Sequence, residues 1–336
     1  MDAAIEAEGM RKRYGDHEAL RGVDLTVPRG TVLGVLGPNG AGKTTTVRIL
    51  ATLLPSDGGR AKVAGYDVAE KPMEVRRRIG LAGQYAAVDE RLSGRENLVL
   101  MGRLYRLGRT GARKRAVELL ERFELSDAAD REVKTYSGGM RRRLDLAASL
   151  LASPEVLFLD EPTTGLDLTS RMTLWAMVRE QVAEGVTVLL TTQYLEEADH
   201  LADRIAVIDK GLLIADGTPD ELKRTVGGEV LEVTMADPDD VPQAALLLEK
   251  VALGAPVVGA QGRSVSAQVE SGIGSIAEVA NALREHRLDV VDFAMRRPSL
   301  DDVFLSLTGH APGTGEPADA TGRPVTATAE QGASAA

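Results

Sequence analysis

From residue 1 to about 225, short apolar runs alternate with segments whose apolar positions recur every three to four residues. The runs at 31–36, 156–160, 186–191 and 205–208 are continuously apolar, as expected of strands buried on both faces of a parallel sheet. Helical segments between them give the strand–helix alternation of an α/β fold. Residues 5–35 instead alternate, with turn residues at Tyr14-Gly15-Asp16 and Pro28-Arg29-Gly30, which predicts antiparallel strands on one edge. A stretch rich in Leu, Arg and Glu at helical spacing, clearest over 92–125, predicts a helical insert spanning about 85–150.

Beyond about 229 the pattern changes. Residues 230–235 alternate as a strand and 239–251 as an amphipathic helix; strand-like runs follow at 256–259 and 263–269, then a helix at 274–287 and a strand at 288–295. That β-α-β-β-α-β order predicts a small ferredoxin-like α+β module. Ser299-Leu300-Asp301-Asp302 has the spacing of a capping box and opens a last helix. The tail at 310–336 is rich in Ala, Gly, Thr and Pro and predicts disorder. The expected organisation is thus an α/β domain at 1–228, an accessory domain at 229–309 and the tail.

Composition narrows the function classes. Hydrophobic residues make up 43% of the 336 and charged residues 27%, an ordinary globular balance. A net charge of −10 argues against a broad nucleic-acid surface, so no nucleic-acid partner is expected. The absence of cysteine excludes disulfides, thiol catalysis and Cys-ligated metals. Met1 to Glu6 is acidic and has no apolar core, unlike a secretory signal, and no apolar run approaches the roughly 18 residues of a membrane helix. The expectation is a soluble cytoplasmic chain that meets a membrane only through a partner.

The chemistry begins at Gly37-Pro38-Asn39-Gly40-Ala41-Gly42-Lys43-Thr44, which fits G-x-x-x-x-G-K-[ST] between a buried strand and a helix predicted over Thr44 to Leu54. Backbone N–H groups of such a loop, at a helix N-terminus that continues through Thr45, bind phosphates without side chains. Lys43 supplies a point charge for the β- and γ-phosphates and the Thr44 hydroxyl a ligand for Mg²⁺. The loop alone fits kinases, GTPases, helicases and transporters equally. Val156 to Leu159 leads into Asp160 and Glu161, placing Asp160 at a strand's carboxyl end to hold Mg²⁺ or its waters. Glu161 is placed to polarise the attacking water, as general base or water-positioner. Alone, Asp160-Glu161-Pro162 reads more readily as a strand-end acidic turn.

Tyr136-Ser137-Gly138-Gly139-Met140-Arg141 opens a basic helix between these two motifs. With it, residues 4 to about 225 resemble the ATP-binding subunits of ABC transporters, whose signature has the form S-G-G-x-[RQK]. Leu92-Ser93-Gly94-Arg95-Glu96 looks similar but lies too early and lacks the second glycine. The resemblance implies a P-loop NTPase fold with a helical subdomain. It implies ATP and Mg²⁺ as ligands, a γ-phosphate contact from Ser137, Gly138 and Gly139, and adenine stacking by Tyr14. It assigns Gln84 to the link between metal site and helical insert, and Asp167, in Gly165-Leu166-Asp167, to a loop that crosses to a partner subunit. A signature segment cannot reach its own phosphate loop in this architecture, so two chains would pair head-to-tail as a homodimer and drive a separate membrane permease.

Where the family usually has a histidine on the γ-phosphate, this chain has Gln193. An amide still donates to phosphate but does not titrate near neutral pH. An active ATPase with a substituted switch residue and a weakened regulatory subunit are both compatible with it. The string Thr191-Thr192-Gln193-Tyr194-Leu195-Glu196-Glu197-Ala198-Asp199 and the terminal Arg297-Pro298-Ser299-Leu300-Asp301-Asp302-Val303-Phe304 look like the daunorubicin-resistance type ATPases of antibiotic exporters. A peripheral subunit on the cytoplasmic membrane face, driving drug export, is the implied role. ABC ATPases outside transport fit less well, since there is a single cassette with no long coiled coil between Gly37 and Ser137.

Overall fold

The computed structural model describes residues 2–83, 88–225, 229–259, 261–269, 273–296 and 298–308. Gln84, Arg297 and the 310–336 tail therefore lie outside the described residues. The chain divides into two compact units between Thr218 and Pro219.

The first unit begins with strands β1 (Ala3–Tyr14), β2 (His17–Pro28) and β3 (Val32–Leu36), then helix α1 (Lys43–Leu50). Strands β4 (Gly58–Val63) and β5 (Tyr66–Asp67), helix α2 (Pro72–Arg76) and strand β6 (Ile79–Ala82) follow. The helical insert comprises α3 (Gly94–Leu104), α4 (Gly108–Arg122) and α5 (Gly138–Ser149). Strand β7 (Val156–Asp160), helix α6 (Leu168–Ala183), strand β8 (Thr187–Thr192), helix α7 (Leu195–Leu201) and strands β9 (Arg204–Asp209) and β10 (Leu212–Gly217) complete the unit. The expected antiparallel strands form a sheet of their own, ordered β2-β1-β4-β5. The main sheet runs β10-β9-β3-β8-β7-β6, parallel from β9 to β6, with β10 antiparallel at one edge.

The continuous apolar runs have a direct cause. In β7, Leu157 and Leu159 enter a core shared with Leu144 of α5 and Leu174 of α6, while Val156 and Phe158 enter a second core with Val47 of α1 and Ile5 of β1. Both faces are covered, so neither set of alternating positions is left for polar residues. The parallel register places Leu36 beside Thr192 and Asp160 beside Thr191. The segments leaving β3, β7 and β8 therefore emerge together at one end of the sheet, where such folds bind ligands. Helix α1 stops at Leu50, short of the expected Leu54, and Thr52 turns left-handed (φ 61°) just beyond it.

The second unit starts earlier than the sequence boundary at 228, with helix α8 (Pro219–Thr225). It continues as strand β11 (Glu229–Met235), helix α9 (Val241–Leu248), strands β12 (Val257–Val258) and β13 (Ser264–Val269), helix α10 (Ile273–Glu285), strand β14 (Val290–Arg296) and helix α11 (Leu300–Thr308). Helices α8 and α11 pack together, which explains why the short helix belongs here. The sheet is wholly antiparallel in the order β12-β13-β11-β14, giving the ferredoxin-like arrangement its own core of Leu231, Val233, Leu248, Val265 and Leu283.

Candidate functional site

The phosphate loop joins β3 to α1 through Gly37 and Gly42, where a side chain would run into neighbouring backbone. A Cβ on Gly37 would lie 2.1 Å from the Ile208 carbonyl oxygen. Gly42 has φ 111°, and a Cβ there would lie 2.6 Å from the Ala19 carbonyl oxygen. Gly42 caps α1 with no side-chain hydrogen bond, and among the described residues the amides of Lys43, Thr44 and Thr45 meet no acceptor. Orphan first-turn amides on a tight glycine loop form an anion cradle. Lys43 is 5% exposed, and its Nζ donates to the carbonyls of Gly37 (2.7 Å) and Pro38 (3.0 Å). Burial holds Lys43 below the usual lysine range, while the charges of Glu161 and Asp160 pull the other way.

Asp160 ends β7 and is 8% exposed. Its Oδ1 accepts from the Thr191 hydroxyl at 2.5 Å and the Thr44 hydroxyl at 3.2 Å. The loop threonine and the strand-end aspartate therefore share one spot, a hydroxyl and a carboxylate of the kind that hold Mg²⁺ alongside substrate phosphates. Glu161 follows with φ 50°, a left-handed conformation rare for a residue with a side chain. Its N–H donates to the Thr191 carbonyl at 3.0 Å, and its Oε2 accepts from the Thr164 hydroxyl at 3.3 Å. The geometry thus gathers Lys43, Thr44, Asp160 and Glu161 at one sheet end. Thr191, not singled out in the sequence, is what ties Asp160 and Glu161 to β8.

The signature segment opens α5. Ser137 is its N-cap, with Oγ accepting from the Met140 N–H at 3.2 Å. A Cβ on Gly139 would lie 2.5 Å from the Ser170 hydroxyl, so the second glycine permits close packing against α6. Asp167 caps α6, accepting from the Ser170 N–H (2.8 Å) and hydroxyl (3.1 Å). The similar-looking Ser93-Gly94 is explained locally: Ser93 and Glu96 form a reciprocal capping box on α3. Among the described residues no hydrogen bond joins Ser137 to Gly139 with the phosphate loop of the same chain.

Gln193 follows β8, half-buried, in the loop that leads to α7. Tyr14 ends β1, half-buried at the hairpin, with Lys12 Nζ 5.9 Å from its ring centroid. Two further residues escaped the sequence reading. Arg142 of α5 is largely buried and donates to the carbonyls of Gly83, Glu161 and Pro162. Glu197 of α7 is fully buried; Oε1 accepts from the Trp175 indole at 3.1 Å, and burial pushes its carboxyl above the usual glutamate range. The available signals were an acid, Asp145, one turn after Arg142, and the apolar positions Leu195, Ala198 and Leu201 surrounding Glu197.

The family described as ABC transporter matches residues 20–164, and that described as ATP-binding protein DrrA1-3-like, C-terminal domain, matches 217–308. The chain is 60% identical over 307 residues to the daunorubicin resistance ATP-binding protein DrrA2 of Streptomyces coeruleorubidus, covering 91% of this chain and 95% of that protein. It is 33% identical to the linearmycin resistance ATP-binding protein LnrL of Bacillus subtilis, covering 91% and 98%. A solved ATP-binding subunit of an ABC transporter superposes with a TM-score of 0.61 at 28% identity, over 67% of this chain and 93% of that one. A dimeric ATP-binding cassette, MJ0796, solved with ADP and Pi in a post-hydrolysis state, superposes with a TM-score of 0.59 at 24% identity, over 64% and 98%.

Proposed function

The chain belongs to the family of ABC transporter ATP-binding subunits, with a DrrA-like C-terminal domain, and from that premise we propose that it hydrolyses ATP to drive drug or antibiotic export through a separate permease. The observation that carries the reading is the convergence of Lys43, Thr44, Asp160 and Glu161 on one sheet end, beneath unpaired loop amides. The amides of Gly40 and of Gly42 to Thr45, with the loop residues Pro38, Asn39 and Ala41 shaping their curve, cradle the β- and γ-phosphates, and Lys43 turns from the loop carbonyls to the phosphate oxygens. Thr44 and Asp160, with Gln84, are the residues that would hold Mg²⁺, which when bound neutralises charge on the phosphates. Glu161 accepts a proton from water as its oxygen bonds to the γ-phosphorus and the bond to the ADP oxygen breaks. Gln193 donates its amide to the γ-phosphate, and Tyr14 stacks on adenine.

The other half of each site comes from a second copy. Ser137, Gly138 and Gly139 of one chain cap the nucleotide on its partner's phosphate loop, and Asp167 lies at the crossing. A C₂ head-to-tail pair then holds two ATP molecules. The pair sits on the cytoplasmic face of the membrane against its permease. Supporting this is that, among the described residues, no hydrogen bond joins the signature to the phosphate loop of its own chain, together with the dimeric state named for the similar cassette. Glu161→Gln is expected to lower turnover roughly 10²–10⁴-fold while the protein dimerises on adding ATP, measured by phosphate release and light scattering. Robust turnover by that variant would remove Glu161 as the catalytic base. Gln193 supports a second reading, a weakly hydrolysing regulatory subunit, which phosphate release from wild-type protein separates from the first.

A further inference from the structure

Three consecutive arginines open α5, and the structure uses them differently. Arg141 pairs with Glu90 at 2.9 Å, and Arg143 pairs with Glu124 at 3.1 Å. Arg142 between them has a side chain only 13% exposed, with Asp145 3.9 Å away on the same helix. Its guanidinium is spread over backbone carbonyls. Nε donates to Pro162, Nη1 to Gly83, and Nη2 to Glu161 at 2.5 Å. A rigid planar fork suits three carbonyls of fixed spacing, which a lysine cannot match.

One of those carbonyls belongs to the left-handed Glu161. Strained conformations persist only where the surroundings over-determine them. The peptide before Glu161 is held by Thr191, which accepts from the Glu161 N–H at 3.0 Å. The peptide after it is held by Arg142, and so is the next carbonyl, that of Pro162. With both flanking peptides pinned, the direction in which the Glu161 side chain leaves the backbone is set. One of the two pins sits on the helix that Ser137 caps, five residues along.

We propose that Arg142 is a positioning residue for ATP hydrolysis: it aligns the Glu161 carboxylate from the signature helix, so that the alignment follows the signature's engagement with nucleotide. This rests on the reading of Glu161 as the base and of Ser137 to Gly139 as a nucleotide cap. Arg142 acts through backbone carbonyls, those of Gly83, Glu161 and Pro162, to which its guanidinium donates.

The test uses the full-length chain with Mg-ATP and scores turnover per bound nucleotide, so that a loss of folded protein does not count. Arg142→Gln is expected to lower kcat about a hundredfold, the scale of a misplacement of order 1 Å, with KM for ATP within about twofold of wild type. Arg142→Lys keeps the charge but loses the fork; it is expected to recover less than half of the lost rate, and it decides the matter if the glutamine variant does not fold. Glu161→Gln combined with Arg142→Gln is expected to dimerise with ATP as Glu161→Gln alone does. Wild-type kcat in either Arg142 variant overturns the proposal, as does a KM that rises in step with the loss of kcat. Failure of Glu161→Gln alone to dimerise with ATP overturns the head-to-tail reading instead, a separate outcome from a normal kcat in Arg142→Gln.

Discussion

Glu197 has no exposed surface; its Oε1 accepts from the Trp175 indole at 3.1 Å, and the hydroxyls of Thr192 and Thr163 also favour its charged form, without outweighing burial. Burial disfavours its charged form and raises its pKa. In the unfolded chain the same carboxyl ionises near the ordinary value of about 4.3. Between that value and the raised one, the folded protein keeps a proton that the unfolded chain has lost, so stability falls as pH rises through the window and stays lowered above it. Glu197→Gln does not titrate, keeps an oxygen for Trp175 and offers an amide to acceptors nearby. It is expected to raise Tm at pH 8, with the gain shrinking towards pH 5, in thermal melts at stepped pH; a pH-independent Tm difference would refute the burial argument. The apolar positions Leu195, Ala198 and Leu201 are the local hint that this acid is buried, but its cover comes from Trp175 on α6, 22 residues away, which the local sequence does not show. Arg142 was hidden for the same reason, inside what reads as a solvated basic run. That Lys43, Asp160 and Glu161 meet at one sheet end was legible because each ends or follows a strand in the chain. The unexpected element there is conformational, the left-handed turn at Glu161.

At the scale of elements, ends were less legible than the elements themselves, except where a side chain makes the end. The Ser299-x-x-Asp302 spacing is one such case. In the structure the Ser299 N–H donates to Asp302 Oδ2 at 2.7 Å, and the Asp302 N–H donates back to Ser299 Oγ at 3.3 Å. Arg296, at the end of β14, forks onto the same carboxylate at 2.6 and 3.1 Å. Burial works against the charge on Asp302, but Arg296 and the Ser299 donors outweigh it and hold the carboxyl below the usual aspartate range. Because Arg296 is about a third exposed, most of the expected loss on Asp302→Ala is the capping contribution, about 1 kcal/mol. The loss is expected in one unit only. The chain's single tryptophan, Trp175, lies in the first unit, so its fluorescence should melt unchanged while far-UV circular dichroism shows an earlier transition. A matching shift in both signals would contradict independent melting. By contrast, no such spacing marks the end of α1; Thr218-Pro219-Asp220-Glu221 does have it ahead of α8, and what the sequence hides there is that α8 packs with α11.

For the whole molecule, the question is how much of the activity the first unit holds by itself. Every residue of the candidate site that is described lies before Thr218, from Tyr14 to Gln193, and the second unit closes a core of its own around Leu231, Val233 and Leu283. Cutting between Thr218 and Pro219 breaks neither core, whereas cutting at 228 would strand α8, whose Leu222 is buried and which packs with α11. A chain ending at Thr218 is therefore expected to bind ATP and to retain turnover within about threefold of the full chain, as separable domains do, measured by phosphate release at matched concentration. Loss of turnover with ATP binding intact would mean, on the proposed head-to-tail pairing, that the second unit helps two chains meet. Loss of both would mean that the first unit does not stand alone. Retained turnover would leave the DrrA-like domain to act outside the hydrolytic cycle, in how the subunit meets its permease.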